Sequence, residues 1–293
     1  MIGALVIDKP PGITSHDVVR RVRRALNESS VGHLGTLDPM ATGVLPLLLG
    51  KATRLAQFFS ESEKTYEGEI CFGFATDTFD KDGQAQEPRI SVELDLGCLK
   101  ELARQFTGQM LQTPPQFSAK KVTGTPAYKL ARMKIRADLK PVLVNISVLE
   151  ILSVNGDRAA FLCRVSAGTY IRSIAHALGQ ATATGAHLTR LRRIQSGQFG
   201  LDRAVTLQEL EDRSLGPDLG NYIIHPRDLL PSFPIVLADS ANQIAIRHGN
   251  PFHLNVESDS PWVKVFGSDD ELMAIARRLE GSFFQPKVVL EGG

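Results

Sequence analysis

The chain has 293 residues, 43% of them hydrophobic, and a formal net charge of +1, which fits a folded protein with one sizeable core and a small second domain. Its longest apolar run, at 44–49, is too short for the roughly 20 residues of a membrane-spanning helix, and the amino terminus has no signal-peptide pattern. The three cysteines lie far apart and outside any CxxC pair, so we expect a cytoplasmic protein without a membrane partner, a disulfide framework or a metal site.

The first half of the chain mixes strand and helix patterns. In order, the sequence predicts a buried strand at 2–7, a turn at 9–12, a helix that Ser15 could cap, a half-buried strand at 66–72 and a helix at 99–106. The segment at 112–141 opens near two prolines and is dense in cations. It is predicted to leave the core.

The second half continues the mixture. The patterns predict strands near 142–152 and 159–165, a helix from Thr169, a short helix at 239–248 and strands at 263–266, 272–276 and 287–290. Prolines cluster near residue 230, where we expect a domain boundary. We predict an α+β fold with a mixed, largely antiparallel sheet flanked by helices, followed by a small β-rich domain.

Charge is distributed unevenly along the chain. The segment 118–140 contains seven cations and one anion, and further basic clusters lie at 20–24 and 190–193. Acidic residues gather instead at 61–95, at 202–218 and in the C-terminal third. Such segregation can steer a polyanion to one face, although each cluster alone is more typical of a solvated helix face.

The segment 32–43 is the most unusual part of the sequence. Between Glu28 and Lys51, the side chains that ionise near neutral pH are His33 and Asp38, among glycines and apolar residues. Glycines let the backbone approach a ligand closely, so Asp38 is a candidate catalytic carboxylate. Asp before Pro is also a common helix start, with Asp as the N-cap, and His33 by position alone is more typical of a satisfied loop histidine.

Six motifs resemble, in order, those of the TruB family of pseudouridine synthases. They are KPPGITS at 9–15, GHLGTLDPMATG at 32–43, KTY at 64–66 leading into GFATDTFD at 73–80, PPQFSA at 114–119, GTYIRS at 168–173 and GAHLTRLRR at 185–193. Six ordered motifs that span most of the chain are far more specific than a single one. The C-terminal residues resemble, more loosely, an RNA-binding PUA domain.

The resemblance implies both a fold and an activity. It implies a pseudouridine synthase catalytic domain at 1–230, with an RNA-contacting insertion at about 112–141, and a PUA-like RNA-binding domain at 231–293. The implied reaction isomerises the T-loop uridine of tRNA, at position 55, to pseudouridine after base flipping, by breaking and re-forming the glycosidic bond. This reaction needs no net redox change or hydrolysis, so we expect no cofactor and no metal. The compact length favours the stand-alone bacterial type, expected as a monomer that binds the T-arm of tRNA.

The resemblance also assigns residues to the reaction. Asp38 matches the catalytic aspartate, with a nucleophile role and a base role both open, and Arg172 matches the arginine that pairs with it. Tyr66 matches the tyrosine that stacks on the flipped base and has been given a proton-transfer role. Tyr170 and Leu191 match positions of the base or ribose pocket. Without the resemblance, Tyr66 is an ordinary strand aromatic and Arg172 a surface arginine near a helix start.

The RNA-contacting residues are less specific. His33 would contact the RNA beside the flipped base. The candidate RNA-binding cations are Lys9, Lys120, Lys121, Lys129, Arg132, Arg192 and Arg193. The acidic turn at 77–83 superficially resembles a calcium loop, but its spacing is wrong and a solvated turn is the better interpretation.

One alternative from another class is a non-catalytic RNA-binding or RNA-chaperone protein, which would keep the basic clusters and the C-terminal domain. The combination of Asp38 with Arg172 and Tyr66 argues against it, because binding alone does not need a carboxylate that faces RNA phosphates.

Overall fold

The computed structural model describes residues 1–213 and 217–290. In chain order the strands are β1 (Gly3–Lys9), β2 (Val31–His33), β3 (Thr42–Leu49), β4 (Lys64–Phe72), β5 (Gly108–Gln112), β6 (Lys121–Val122), β7 (Thr125–Pro126), β8 (Val142–Asn155), β9 (Arg158–Val165), β10 (Ala186–Ser196), β11 (Phe199–Gly200), β12 (Ala204–Thr206), β13 (Ile235–Leu237), β14 (Phe252–His253), β15 (Trp262–Phe266), β16 (Leu272–Glu280) and β17 (Phe283–Val289). The α-helices are α1 (Ser15–Leu26), α2 (Leu96–Gln105), α3 (Ala127–Arg132), α4 (Ile171–Ala181), α5 (Leu207–Arg213) and α6 (Ser240–Arg247). Short 3-10 helices lie at Gly50–Phe59, Leu201–Arg203, Pro217–Tyr222 and Pro226–Asp228. Within the described residues, no helix is long and apolar enough to cross a membrane.

The large sheet forms the centre of the molecule. Its strands lie in the order β12-β1-β3-β10-β4-β9-β8-β5, with β2 beside β3 and β11 beside β10. The pairs β1/β12 and β3/β10 are parallel and the other pairs are antiparallel. Helices α1, α2, α4 and α5 pack on this sheet or beside it through buried apolar residues. The predicted α+β fold with a mixed, largely antiparallel sheet is confirmed.

Two central strands, β3 and β10, were not predicted from the sequence. Strand β3 contains Pro46, and proline inside a run normally argues against a central strand because it has no N–H for the ladder. Here β3 pairs with β10 at Thr42 and Gly43 and with β2 from Leu47 onward. Pro46 lies between those two pairings, where its carbonyl accepts a hydrogen bond from Leu34 at 2.9 Å. The missing N–H therefore falls in a gap of the ladder.

The segment predicted to leave the core does so between β5 and β8. It contains the hairpin β6–β7 and the helix α3, which pack on a small apolar cluster that includes Ala127, Ala137 and Leu139. Gln116 closes the segment, because its amide donates to the Ala137 carbonyl at 3.0 Å and accepts from the Ala137 N–H at 2.8 Å. This insertion is therefore a small folded unit on the edge of the sheet.

The C-terminal residues form a second sheet in the order β13-β15-β16-β17-β14, with α6 packed beside it. The predicted β-rich C-terminal domain is confirmed. It shares an apolar cluster with the large sheet, in which Phe266 of β15 joins Val6 of β1. Buried Lys264 adds a polar link, because its amine donates to the Leu229 carbonyl at 2.7 Å. The junction between the two sheets is thus packed and hydrogen-bonded.

Candidate active site

Asp38 lies in the loop that joins β2 to β3. The loop turns tightly, with a 3.0 Å hydrogen bond from the Ala41 N–H to the Asp38 carbonyl, and no helix begins at Pro39. The alternative in which Asp38 caps a helix is therefore wrong. The chain enters β3 through Gly43, whose φ of +97° and close approach to the Arg193 carbonyl leave no room for a Cβ atom.

Helix α1 holds one side of this loop. Thr14, not the predicted Ser15, is the N-cap, since Thr14 and Asp17 form a reciprocal capping box. Ser15 is instead buried as the first helical residue. Its hydroxyl oxygen accepts from the Leu37 N–H at 2.8 Å, and the hydroxyl lies 3.1 Å from the Leu37 carbonyl as donor. The residue before Asp38 is therefore fixed to the start of α1.

Lys9 holds the other side. Its side chain is fully buried, and its amine donates to the carbonyls of Ala41 at 2.7 Å, Pro10 at 3.0 Å and Pro39 at 3.2 Å. Burial lowers the pKa of this amine to about 8, although the negative charge of Asp38 opposes the shift. An enclosed amine with three carbonyl partners cannot lie on an RNA-binding surface. The predicted RNA contact of Lys9 is wrong, and the residue supports the Asp38 loop.

Arg172, in the first turn of α4, faces Asp38. Its Nε lies 2.8 Å from Asp38 Oδ2, and a terminal nitrogen donates to Asp38 Oδ1 at 3.0 Å. The guanidinium is almost completely buried, with 4% of the Arg172 side chain exposed, whereas 34% of the Asp38 side chain remains open. Two contacts from one planar cation fix the plane of the carboxylate and leave its open side available for a reacting group.

The Arg172 guanidinium has three further partners. It lies 3.2 Å from Asp80 Oδ2 and donates to the carbonyls of Thr78 at 3.1 Å and Phe117 at 3.0 Å. The interpretation of the 77–83 turn as solvated is therefore wrong at Asp80, which is 6% exposed. In place of water, its carboxylate contacts the Arg172 guanidinium and accepts hydrogen bonds from the Thr78 hydroxyl at 2.6 Å and the Asp82 N–H at 3.1 Å.

The environment changes the acidity of Asp38. Burial raises the pKa of the carboxyl above its ordinary value, and the negative charge of Asp80 adds to that rise. The Arg172 guanidinium is the strongest opposing influence, followed by its hydrogen bond and by Lys9. Arg172 thus favours the charged form of an acid that the pocket itself would neutralise.

Asp38 borders a cavity of about 440 Å³, inside the range of roughly 300–1,000 Å³ that is typical of small-molecule sites. Its walls include Tyr66 of β4, Leu191 of β10, Tyr170 just before α4 and His33 at the end of β2. The structure therefore brings together the substrate-binding residues that the sequence predicted, although neighbouring members of the set lie 21 to 104 residues apart along the chain.

The two tyrosines are held as neutral phenols. Burial raises the pKa of Tyr66 and of Tyr170, and the guanidiniums of Arg193 and Arg172 oppose these shifts. The backbone of Tyr170 is fixed by Gln112, whose amide accepts from the Tyr170 N–H at 2.8 Å and donates to the Tyr170 carbonyl at 3.1 Å. Each phenol can therefore offer a ring face and a hydroxyl to a ligand in the cavity.

Two of the predicted RNA-binding arginines are engaged within the protein. Arg193 is 1% exposed and donates to the carbonyls of Val44 at 2.7 Å and Gly35 at 3.1 Å, so it belongs to the cavity wall. The predicted RNA contact of Arg193 stays a prediction, and its side chain lies in the cavity wall and not on the outer surface. Arg192 points to the other side of β10 and forms a two-point ion pair with Asp8 at 3.0 and 2.7 Å.

The cations of the insertion are exposed. Among the seven are the four predicted RNA-binding residues, Lys120, Lys121, Lys129 and Arg132. The Arg132 guanidinium lies 5.5 Å from the ring centre of Tyr128, and both residues line a second cavity of about 720 Å³. Asp38 and Arg172 also line that cavity, which shares Asp38 and His33 with the first one. Arg132, one of the exposed cations, therefore lines the same cavity as Asp38.

Sequence reasoning missed Lys64 and Asp80 as site residues. Lys64 is 8% exposed and lines the first cavity together with Asp38. Its position two residues before Tyr66 on an alternating strand could have placed both side chains on one face. The role of Asp80 depends on its contact with Arg172, which lies 92 residues later in the chain and which no local sequence pattern predicts.

The chain offers no metal-binding cluster within the described residues, since no group of three or more His, Cys, Asp or Glu side chains is placed to hold an ion. Cys71 and Cys163 are buried thiols and Cys98 is an exposed one. None of the three lines the first cavity.

Comparison with known proteins places this site in a family. Residues 23–171 match the model for "TruB family pseudouridylate synthase (N terminal domain)", and residues 172–223 match the model for "tRNA pseudouridylate synthase B C-terminal domain". The chain is 44% identical to tRNA pseudouridine synthase B of Solibacter usitatus, over 99% of this chain and all of that protein. It is 39% identical to tRNA pseudouridine synthase B of Aquifex aeolicus, over the same shares.

Solved structures agree on the fold. The archaeal box H/ACA sRNP Nop10-Cbf5 complex contains a chain that is 25% identical, with a TM-score of 0.72, over 99% of this chain and 86% of that one. A Cbf5-Nop10-Gar1 complex contains one that is 26% identical, with a TM-score of 0.73, over 99% and 85%. Fold and site together define a pseudouridylate synthase. The chain belongs to the TruB family of these enzymes and is an isomerase that converts uridine in tRNA to pseudouridine. The non-catalytic alternative has no support among these relatives.

Proposed function

We propose that this enzyme modifies the T-loop uridine of tRNA, at position 55, and that Asp38, Tyr66 and Arg172 carry the reaction. The observation that supports this most strongly is the two-point contact of Arg172 with Asp38 at the wall of a nucleoside-sized cavity. A partly open carboxylate held by a buried guanidinium is suited to act on a ribose that enters from the open side.

In this proposal the target base leaves the T-loop stack and enters the cavity. Tyr66 provides the ring on which the base stacks, while Tyr170 and Leu191 enclose the base and ribose. His33 lines both cavities, where it would contact the RNA that the base has left. Stacking and enclosure replace the contacts that the base loses when it is extruded.

The chemistry needs an ionised and aimed carboxylate. The bond between C1′ and N1 breaks, the base turns, and a new bond forms between C1′ and C5. Asp38 serves this exchange as a nucleophile at the sugar or as a base at the ribose, and either role requires its charged form. Arg172 supplies the orienting charge, and Asp80, the Thr78 carbonyl and the Phe117 carbonyl hold that guanidinium in place.

The substrate is a polyanion, and the exposed cations of the insertion suit it. Lys120, Lys121, Lys129 and Arg132 project from a folded unit whose base, at Phe117, already contacts Arg172. We therefore infer that the insertion binds the T-arm backbone beside the Asp38 site. Arg192, which is partly exposed and paired with Asp8, would add a weaker contact.

The same reasoning assigns different roles to the two domains. The residues named above lie within 1–230, and the PUA-like domain at 231–293 would bind RNA further from the reacting uridine. We propose that the enzyme acts as a monomer in the reducing cytoplasm, where its free thiols remain unpaired.

The test is to incubate the purified protein with unmodified tRNA transcript and to map pseudouridine by carbodiimide labelling and primer extension. A single new stop at position 55 is expected. A transcript with cytidine at that position is the matched control and should show no stop. Pseudouridine at other positions only, or none at all, would overturn the proposed site specificity.

A further inference from the structure

Lys64 is a buried cation that the proposed mechanism does not use. It begins β4 and is 8% exposed, yet it lines the same cavity as Asp38 and Tyr66. The hydrogen bond of its amine is to the Ser62 carbonyl, two residues back on its own chain. An ammonium group has three N–H donors, so this amine keeps donor capacity for a ligand.

The strand geometry directs Lys64 toward the base. Lys64 and Tyr66 are two residues apart on β4, so their side chains leave the same face of the sheet about 7 Å apart. Arg193 of β10 is the register partner of Tyr66 and also lines the cavity. Two cations and the aromatic ring proposed to stack on the base therefore share one wall.

Among the described residues, none of those that act on the Lys64 amine is a carboxylate. Its register partners are Val165 on β9 and Ser196 on β10, and Tyr66, the neighbour on its own face, stays neutral. Arg193 is the charged group that acts on it, and burial together with this like charge lowers the pKa of the Lys64 amine to about 8. The amine is still mostly protonated at pH 7, so the cavity wall carries positive charge that can bind a negatively charged group of the substrate.

We propose that Lys64 is a further catalytic residue, whose ammonium group donates a hydrogen bond to a carbonyl oxygen of the target uracil and stabilises the negative charge that the base acquires as the glycosidic bond breaks. Arg193 adds to the positive potential from the same cavity wall. This assignment rests on the proposed function, since it needs a flipped uridine in the first cavity.

The electron count explains why a cation is needed here. When the bond from C1′ to N1 breaks, its electron pair stays with the base, which becomes a uracil anion with charge shared by N1, O2 and O4. C5 then bonds to C1′ and releases its proton, and N1 takes up one proton, so the product is an isomer of the substrate. Lys64 keeps its own proton throughout. A donor placed where such charge develops typically contributes 10²- to 10³-fold in rate.

A phosphate group of the RNA is the other anion that two cations could hold. The two sources differ in the quantity they change: a phosphate contact forms when RNA binds and lowers Kd, whereas a contact with the leaving base strengthens in the transition state and raises the rate of the bound complex. The cavity position beside Tyr66 and Asp38 favours the base.

The experiment measures single-turnover rates at saturating tRNA, and Kd by filter binding, for wild type, Lys64→Met and Lys64→Arg. We expect Lys64→Met to slow the bound reaction about 100-fold with Kd within about 3-fold of wild type, and Lys64→Arg to recover most of the rate. A T-arm substrate with 5-fluorouridine, whose more acidic base leaves more readily, should reduce the Lys64→Met defect, measured as loss of the parent nucleoside from digests.

Several results would overturn the assignment. One is an unchanged rate in Lys64→Met. A second is a rise in Kd with the bound rate intact, which would indicate a phosphate contact. A third is an equal defect on uridine and 5-fluorouridine, which would indicate a structural role. If Lys64→Met does not fold, Lys64→Gln, which also lacks the charge, replaces it in the same rate, Kd and 5-fluorouridine comparisons. Failure of the proposed function itself is distinct, because wild type would then leave position 55 unmodified.

Discussion

The cations around the Asp38 site fall into two groups that look alike in sequence and differ in structure. Lys9, Lys64, Arg172 and Arg193 are less than a tenth exposed, and their partners are carbonyls, carboxylates or the cavity itself. The cations of the insertion are exposed. The first group shapes and charges the site, whereas the second is free to meet a polyanion. Burial, which a single sequence does not show, separates the two.

The largest expected effect comes from the first group. Arg172→Met should lower the bound rate by at least about 1,000-fold and the free energy of unfolding by about 3 kcal/mol or more, because two carboxylates lose a buried partner. Arg172→Lys keeps the charge but not the two-point contact, and should remain at least about 100-fold slower than wild type. Single-turnover kinetics and urea unfolding measure both. A loss of tRNA affinity as large as the loss of rate would contradict the distinction between buried cations that support the reaction and exposed cations that bind tRNA.

Lys9→Met tests burial through pH. The pKa of Lys9 is about 8 in the folded protein and 10.5 in the unfolded chain, so between these values the unfolded state binds more protons and stability rises with pH. The cost of enclosing the charged amine is complete below pH 8 and is relieved as the pH approaches 10.5. Wild type should therefore gain about 2 kcal/mol over Lys9→Met across this window.

Urea unfolding of the two proteins at pH 7, 9 and 10 measures the difference between their free energies of unfolding. Titrations common to both proteins cancel in that difference. The salt dependence of tRNA binding should be the same for Lys9→Met and wild type. A stability difference that does not change with pH would place the amine in solvent and restore Lys9 to the exposed group.

The exposed group should affect binding and not the bound rate. Lys120→Ala, Lys121→Ala and Lys129→Ala combined should raise Kd about 10-fold or more at low salt and reduce the slope of log K against log salt by about two, at roughly 0.7 per lost phosphate contact. Lys51→Ala, an exposed lysine outside the insertion, is the matched control and should change neither. An unchanged slope in the triple variant would remove the insertion from the RNA interface.

Arg192→Gln should have the smallest effect. Arg192 is partly exposed and paired with Asp8, and such pairs stabilise proteins by about 0–1 kcal/mol. We expect Kd within about 3-fold of wild type and a loss of unfolding free energy below about 1 kcal/mol. A change as large as that of the triple lysine variant would show that Arg192 leaves Asp8 to bind RNA.

Much of this arrangement could be predicted. Strands β1, β4, β8 and β9, helices α1, α2 and α4 and the β-rich C-terminal domain follow from local patterns. The family resemblance predicted that Asp38, Tyr66 and Arg172 belong to one site. Asp38 could be singled out because it is an isolated acid among glycines and apolar residues.

The rest depends on tertiary contacts. β3 was missed because proline normally argues against a central strand, and the gap between two ladders that accommodates Pro46 is visible only in the structure. β10 was missed because its charged residues have their partners on other strands of the sheet. Asp80 could be mistaken for a solvated acid because its partner, Arg172, is distant in sequence. Lys9 and Arg193 satisfy backbone carbonyls of the loop and of β3, a use of cations that composition cannot distinguish from RNA binding.

The central claim is that the Asp38 carboxylate, oriented by Arg172, carries the isomerisation and is not needed to hold tRNA. The most direct measurement compares Asp38→Asn with wild type in single-turnover formation of pseudouridine at position 55 and in Kd for the same transcript. We predict that product falls below detection while Kd stays within about 3-fold of wild type. Measurable turnover by Asp38→Asn, or a loss of binding as large as the loss of activity, would contradict the claim.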